Sequence, residues 1–468
     1  MHDWVTAAAR ERPEHPAVIA PDGVATYAEL DERAEVSARR LAALGVGDGG
    51  RVATTLPPST EFAVLLHAAP RIGAALVPLN TRLTAAQQHS QVAAVGADAI
   101  VDAPLDGMEA AVEPCHDLDP DAVHTILFTS GTEGEPKAVE LTVANLDAAA
   151  AGSAAVFGVD PEDRWLCALP LFHVAGLSIL TRCARNATTA VVYDRFDAAT
   201  VVAALAGVDG PARVGGAATG GAGAVPGVAD AATPDGAPIS LVSLVPTQLR
   251  WLREEGLERA PGLRALLLGG GPIPPDLVDW ARAAGLPVRC TYGMTETASQ
   301  VAVTDLWESA ATPLPGVEIQ IAADEGGEGA ATGEILVRGP MVAPGALAAD
   351  GWMHTGDLGS LDRHGRLHVA GRLKELIVTG GEKVAPAAVE AVLTAHPAVA
   401  DAGVAGTPDP DWGEAVTAYV VERGPVSDYD LLAFCRERLA GYQVPKRVVR
   451  VARLPRNAGG KLLRNRLG

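Results

Sequence analysis

The chain has 468 residues, 48% of them hydrophobic, with short apolar runs punctuated by Gly and Pro; it is too long for one ordinary core and reads as globular α/β with two or more domains. No apolar stretch approaches the ~18 residues a membrane-spanning helix needs, and a net charge of −20 argues against nucleic acid as a partner. The basic residues are 32 Arg and only 5 Lys; a GC-rich genome accounts for that bias but not for the acid excess, which points to a salt-rich cytoplasm, as in a halophilic organism, where screening relieves self-repulsion.

From the N-terminus, Met1–Arg12 has no basic region followed by an apolar block and is predicted as an amphipathic helix rather than a signal peptide. Residues 1–120 alternate helical and strand patterns, with Tyr27–Leu30, Gly45–Asp48 and Val77–Asn80 as turn-bounded landmarks. His124–Phe128 is apolar enough for a buried strand, and it runs into Thr129-Ser130-Gly131-Thr132-Glu133-Gly134-Glu135-Pro136-Lys137. Glycines there let backbone N–H groups close on phosphate oxygens, hydroxyls add donors and the lysine adds a point charge. The Walker A pattern cannot be laid on this loop, and no helix need follow it. Taken alone, such a loop also reads as a plain turn.

Downstream, short apolar strands end in polar or Gly-rich loops: Ser240–Val245 into Pro246, which can open a helix, and Leu263–Leu268 into Gly269-Gly270-Gly271-Pro272. Residues 207–238, nearly all Gly, Ala, Val, Pro and Asp, lack large apolar side chains and read as a flexible surface insertion, with a functional lid as the alternative. Asp362–Gly365 is a predicted hairpin turn between Leu358–Leu361 and Arg366–Val369. Gly371–Gly381 is read as a strand and tight turn, and Pro386 as a helix start with Val389, Val392 and Leu393 on one face. The texture changes from residue 351 onward, and a domain boundary is placed near Leu373–Lys374. Cys115, Cys167, Cys183, Cys290 and Cys435 are scattered and read as buried free thiols. The lysines are Lys137, Lys374, Lys383, Lys446 and Lys461; chance placement is a fair account of Lys446 alone.

The order Thr-Ser-Gly-Thr-x-Gly-x-Pro-Lys over 129–137 resembles the phosphate loop of the adenylate-forming enzymes, which include acyl-CoA synthetases, adenylation domains and luciferases. Thr291–Thr297, Trp352–Leu358, Gly371–Lys374 and Pro455–Lys461 follow in the order of the same family, so the resemblance spans essentially the whole chain. It implies an α/β fold with a large N-terminal domain, 1–373, and a smaller mobile α+β C-terminal domain, 374–468.

By resemblance, Thr129, Ser130, Gly131, Thr132, Gly134, Lys137, Gly270, Gly271 and Gly293 bind nucleotide. Tyr292 packs on adenine, Thr295 contacts the α-phosphate, and Glu296 holds Mg²⁺, a hard cation suited to oxygen ligands. Asp357 accepts from the ribose hydroxyls, and Arg372 lies on the ribose and phosphate side. Lys374 falls at the interdomain hinge, and Gly380 and Gly381 line the pantetheine tunnel after the small domain rotates. Lys461 is the catalytic lysine of adenylation. Glu133 and Glu135 depart from the pattern, which favours Thr or Ser and a neutral or basic residue there; carboxylates beside a triphosphate are costly unless they point outward or face the cation.

Leu169–Gly176 resembles the family's acyl-pocket motif, in which His173 gates the carboxylate; alone, His173 also reads as a core residue. Arg182 interrupts the apolar Leu177–Thr181 run, which is expensive unless the guanidinium meets an anion or snorkels to solvent. With Gly176–Arg182, Leu268–Pro272 and Tyr292–Gln300, the chain resembles the branch of the family that acts on o-succinylbenzoate in menaquinone synthesis, which implies Arg182, Ser243 and Gly269 as substrate-binding residues beside His173.

The expected activity is a two-step ligation: ATP and the succinyl carboxylate give an acyl-adenylate, and coenzyme A then displaces AMP. ATP, Mg²⁺ and coenzyme A are the expected cofactors and co-substrates, and no nucleic acid or membrane is expected as a partner. The expected location is cytoplasmic, with a homodimer as one assembly. A ligase for another aryl or short acid is the alternative within the class. A non-catalytic nucleotide-binding protein on the same fold is the alternative outside it.

Overall fold

Short runs of Val, Leu, Ile and Ala, bounded by Gly and Pro, are long enough for a strand and too short for a stable helix. The computed structural model describes residues 1–129, 137–207, 236–322, 332–456 and 462–467. There these runs form parallel strands buried on both faces. Arg164–Cys167, Thr189–Val192, Leu241–Leu244, Ala265–Leu268 and Val288–Tyr292 lie side by side, and every residue of the first four is buried. Beyond Val288–Tyr292 the same sheet continues with antiparallel strands, from Ala302–Thr304 to Met353–Leu361 and Leu367–Arg372. The Asp362–Gly365 turn joins the last two, as the sequence predicted, with Leu361 opposite Leu367.

A second sheet pairs Arg51–Thr54, Ala75–Pro78, Ala99–Val101 and Val123–Thr129 in parallel, then adds Lys137–Thr142 antiparallel to Val123–Thr129. Thr129 sits opposite Lys137, so the residues between them join two antiparallel strands. A strand, rather than a helix, follows the loop, in agreement with its failure to fit a Walker A pattern.

Helix starts follow their caps. Asp3 accepts from Thr6 N at 2.9 Å to open Trp4–Glu11, the first predicted helix. Thr26 and Glu29 form a capping box for Tyr27–Ala43, so the Tyr27–Leu30 landmark is the first turn of a long helix. Pro246 stands at the first position of Pro246–Glu254, as expected.

The main sheet's last strand ends at Arg372. A short turn, Leu373–Glu375, follows, and Ile377–Thr379 opens a third sheet with Glu382–Val384, Val399–Asp409, Gly413–Glu422 and Arg447–Arg450. The predicted single strand from Gly371 is therefore cut by that turn, and the chain changes sheets there. Helix Pro386–Thr394 buries Val389 and Leu393 against this sheet, with Val392 partly covered. Of the thiols, Cys167, Cys183 and Cys435 are buried, Cys290 is half-buried and Cys115 is exposed, which corrects the reading for Cys115. Most of the 207–238 insertion lies outside the described residues, as does 130–136 with Ser130, Gly131, Thr132, Glu133, Gly134 and Glu135.

Beneath the first helix lies a buried polar network. Arg71, 1% exposed, donates to Asp3 from Nε at 3.0 Å and from Nη2 to Asp31 at 2.5 Å. His67 and His124 are buried beside it, and desolvation pulls them from 6.5 to about 4 and about 3. Both are neutral in the fold at neutral pH. As pH falls below 6.5 the unfolded chain takes up protons that the folded chain refuses, so stability is held above 6.5 and lost between 6.5 and about 3. Melting temperature is expected to fall on acidification from neutral pH through this window, and His124→Asn to flatten the fall; an unchanged slope in thermal scans of the variant contradicts this.

Candidate active site

In an open α/β sheet, ligand-binding loops gather at the carboxyl ends of parallel strands, where the chain leaves the sheet. Most of the predicted residues lie there. His173 follows the strand ending at Cys167, Ser243 lies at the end of Leu241–Leu244, Gly269–Gly271 follow Leu268, and Gly293, Thr295 and Glu296 follow Tyr292. Register joins two of them: Ser243 sits opposite Leu267 and Leu244 opposite Leu268, and Gly269 N donates to Leu244 O at 3.2 Å. Gly269 has no room for a side chain, since a Cβ there falls 2.3 Å from Thr291 Oγ1. Gly270 takes φ +79°, and Gly271 faces open space.

Tyr292, Asp357 and Arg372 converge. Tyr292 Oη donates to Asp357 Oδ2 at 2.9 Å, and Arg372 Nε meets Asp357 Oδ1 at 3.0 Å from the directly opposite position on the hairpin partner. Asp357 is 5% exposed, so its carboxylate is held by charge-assisted bonds in a largely dry setting. Burial, then the Asp357 carboxylate, push the Tyr292 phenol well above its usual range, so it stays a hydrogen-bond donor.

Gly293 is fixed by its neighbours: a Cβ there falls 1.7 Å from Ser299 O. Ala298 and Ser299 take φ 49° and 110°, unusual for residues with a side chain, and this local strain folds the backbone over Gly293. Thr295 opens the turn Thr295–Thr297. Glu296 in that turn accepts from Ala343 N at 2.8 Å through its backbone, while its half-buried carboxylate has no hydrogen-bond or ion-pair partner among the described residues. One carboxylate suits Mg²⁺, which usually takes one or two protein oxygens together with substrate phosphates.

The acyl-side residues lie on helix Val174–Asn186 and the strands beneath it. His173 precedes the helix, half-buried, edge-on to Phe172 at 4.6 Å. Burial, then the Arg82 charge, lower His173 to about 4, so it is neutral at pH 7. Arg182 is 2% exposed, which excludes a side chain reaching for solvent. Its guanidinium lies 5.3 Å from the centre of the Trp165 ring, and its Nε and Nη2 are buried with no hydrogen-bond partner among the described residues. Burial lowers it to about 10, which still leaves it charged at neutral pH. Trp165 Nε1 donates to Ser243 Oγ at 3.0 Å, so Arg182, Trp165 and Ser243 form one stack.

Toward the C-terminus, Lys374 is exposed in the turn between the sheets. Gly380 and Gly381 take φ +60° and +86°; a Cβ on Gly380 falls 2.7 Å from Trp412, whereas Gly381 faces open space. Lys446 donates to Thr379 Oγ1 at 3.0 Å and lies 4.3 Å from the centre of the Trp412 ring, so it is a fixed cation beside this turn and its placement is not incidental. Lys461 lies outside the described residues, but its flanks are tied down. Arg456 bridges to Leu462 and holds Asp401 at 2.8 and 2.9 Å. Arg464 holds Glu375 and Glu390 at 2.7 Å each, linking this segment to the turn between the sheets. Trp165, Arg82, Trp412 and Lys446 are neighbours of the site that motif reading did not assign; a buried strand tryptophan or a lone loop arginine carries no spacing signal.

Comparison with known proteins agrees with this geometry. The AMP-binding enzyme family matches residues 5–116, 103–209 and 231–347, and the AMP-binding enzyme C-terminal domain matches residues 388–461. The 2-succinylbenzoate–CoA ligase of Bacillus licheniformis is 37% identical over 505 aligned positions, covering 99% of each chain. The o-succinylbenzoate CoA synthetase of Bacillus subtilis, in complex with its acyl-adenylate intermediate, has a TM-score of 0.87 at 35% identity over 100% of this chain and 98% of that one. In complex with ATP and magnesium ion, the same enzyme gives 0.85 at 35% identity over 100% and 99%. The chain belongs to the AMP-binding enzyme family.

Proposed function

We propose that the chain is an AMP-forming acid–thiol ligase that converts 2-succinylbenzoate to its coenzyme A thioester, a step of menaquinone biosynthesis. In the first half-reaction a succinyl carboxylate oxygen attacks the α-phosphorus of ATP, and the bond to pyrophosphate breaks. In the second, the thiolate sulfur of coenzyme A attacks the acyl carbon, and the bond to AMP breaks. The Ser–His–Asp or Cys–His arrangements of covalent catalysis have no part in this sequence.

The observation that carries the substrate class is Arg182, a buried guanidinium whose Nε and Nη2 lack partners among the described residues. A dicarboxylic acid brings a second carboxylate to it once the first is adenylated. Relatives named for 2-succinylbenzoate, aligned over nearly the whole chain, support this choice of acid.

Tyr292 and Asp357 receive adenine and ribose, Arg372 the ribose and phosphate side, and the loop from Thr129 to Lys137 with Gly270, Gly271 and Gly293 the phosphates. Thr295 contacts the α-phosphate, and neutral His173 gates the carboxylate. Glu296 would hold Mg²⁺, which when bound offsets phosphate charge. Residues 1–373 and 374–468 are taken as the two domains, with Lys374 as hinge, so that Lys461 serves adenylation and the Gly380–Gly381 turn lines the thiol's path. A cytoplasmic enzyme from a halophilic organism, forming a homodimer, completes the reading.

Arg182→Leu is expected to cut kcat/KM for 2-succinylbenzoate about tenfold to hundredfold, the worth of a charge-assisted hydrogen bond. Benzoates and medium-chain acids should suffer less, and KM for ATP should barely move. An equal loss on mono- and dicarboxylic acids in ATP–pyrophosphate exchange removes the anchor and leaves a generic acyl-CoA ligase.

Lys461→Ala should lose adenylation by orders of magnitude yet still convert pre-made adenylate and coenzyme A to thioester, since a preorganised charge matters only where charge develops. Gly381→Phe should do the reverse. Equal loss of both steps in both folded variants contradicts domain rotation. Finally, a net charge of −20 with 5 Lys predicts a melting temperature that rises from low to molar KCl as self-repulsion is screened; a flat or falling trend contradicts the halophilic origin.

A further inference from the structure

Arg71 and Arg182 are both almost wholly buried, and the chain treats them in opposite ways. Arg71 is saturated: Asp3 and Asp31 face it, and Thr6 Oγ1 accepts from it at 3.2 Å. That is how a structural guanidinium is paid for in a folded core. Among the described residues Arg182 has no such carboxylate. Its contact is the face of Trp165, which attracts a cation without using up any N–H donor.

The other edge of the same indole acts on Ser243. Trp165 lies on Arg164–Cys167 opposite Leu241, which puts it on the same face as Ser243, and its Nε1 donates to Ser243 Oγ at 3.0 Å. A hydroxyl that accepts one bond keeps its own O–H to give. No acceptor for that O–H is found among the described residues. One side chain therefore leaves two donors unspent.

We propose that Trp165 is a positioning residue that sets the specificity of the site: it holds the Arg182 guanidinium in place and Ser243 turned so that both donate to the second, non-reacting carboxylate of the acid. This rests on the reading that Arg182 and Ser243 bind that carboxylate. Trp165 acts through these two side chains, whose contacts with it are the ones the structure gives. Its loss acts on discrimination between acids, and the adenylation machinery is left in place.

The test is ATP–pyrophosphate exchange by the full-length enzyme, measuring kcat and KM for 2-succinylbenzoate and for 4-oxo-4-phenylbutanoate, which lacks the ring carboxylate. The variants are Trp165→Phe, Trp165→Leu, Ser243→Ala and the double variant Trp165→Phe with Ser243→Ala. Trp165→Phe keeps the aromatic face and loses the N–H; it should raise KM for 2-succinylbenzoate about tenfold, with a clearly smaller change for the analogue. The double variant should be no worse than Ser243→Ala alone, because Trp165 Nε1 acts through that hydroxyl. Trp165→Leu loses the face as well and should cost more on the dicarboxylate.

Additive losses in the double variant, or equal losses on both acids, overturn the proposal, since a tryptophan that merely fills space predicts those results. A parent enzyme that prefers 2-succinylbenzoate while Trp165→Phe leaves that preference intact refutes the role of Trp165 alone. A parent enzyme without the preference refutes the substrate reading beneath it.

Discussion

A charged guanidinium without a counter-ion is among the most costly things a protein can bury, and Arg182, with none among the described residues, sits 2% exposed on a helix that buries Val174, Leu177, Ile179 and Leu180. The rest of the acyl side is arranged around that constraint. Val174–Asn186 packs on the parallel strands, the Trp165 indole covers the guanidinium, and Ser243 is tied to the same indole. The net effect is a cationic point held ready in a dry layer, where a carboxylate supplied by the substrate is worth more than in water.

The nucleotide side depends on a different device, the joining of parallel and antiparallel parts of one sheet. Tyr292 ends the last parallel strand, whereas Asp357 and Arg372 come from the antiparallel hairpin beyond it. Their mutual bonds tie the two parts together at the place where a ribose is expected. Arg372 is also the last residue before the Leu373–Glu375 turn. Arg372 thus adjoins the turn where the chain changes sheets, and Arg464 ties Glu375 of that turn to the segment carrying Lys461.

Much of this was legible because it follows from local rules. Apolar runs ending in glycine gave the strands and their loops; Gly269 and Gly293 mark places where a Cβ would strike Thr291 or Ser299. Arg182 announced itself as a charge out of pattern. What the sequence withheld are pairings made between distant segments. Nothing near Trp165 points to Ser243, and nothing near Lys446 points to Trp412, because such contacts are set by which strands lie adjacent. The Leu373–Glu375 turn was missed for a similar reason, since Gly371–Gly381 satisfies the pattern of a continuous strand and only the change of sheet breaks it.

The central claim is that the buried guanidinium reads a second carboxylate. The most direct measurement is a crystal structure of this chain with 2-succinylbenzoyl-adenylate. The account predicts the ring carboxylate about 3 Å from Arg182 Nε or Nη2 and within hydrogen-bond reach of Ser243 Oγ. A ring carboxylate held by other groups, with Arg182 still facing only the Trp165 ring, would contradict it.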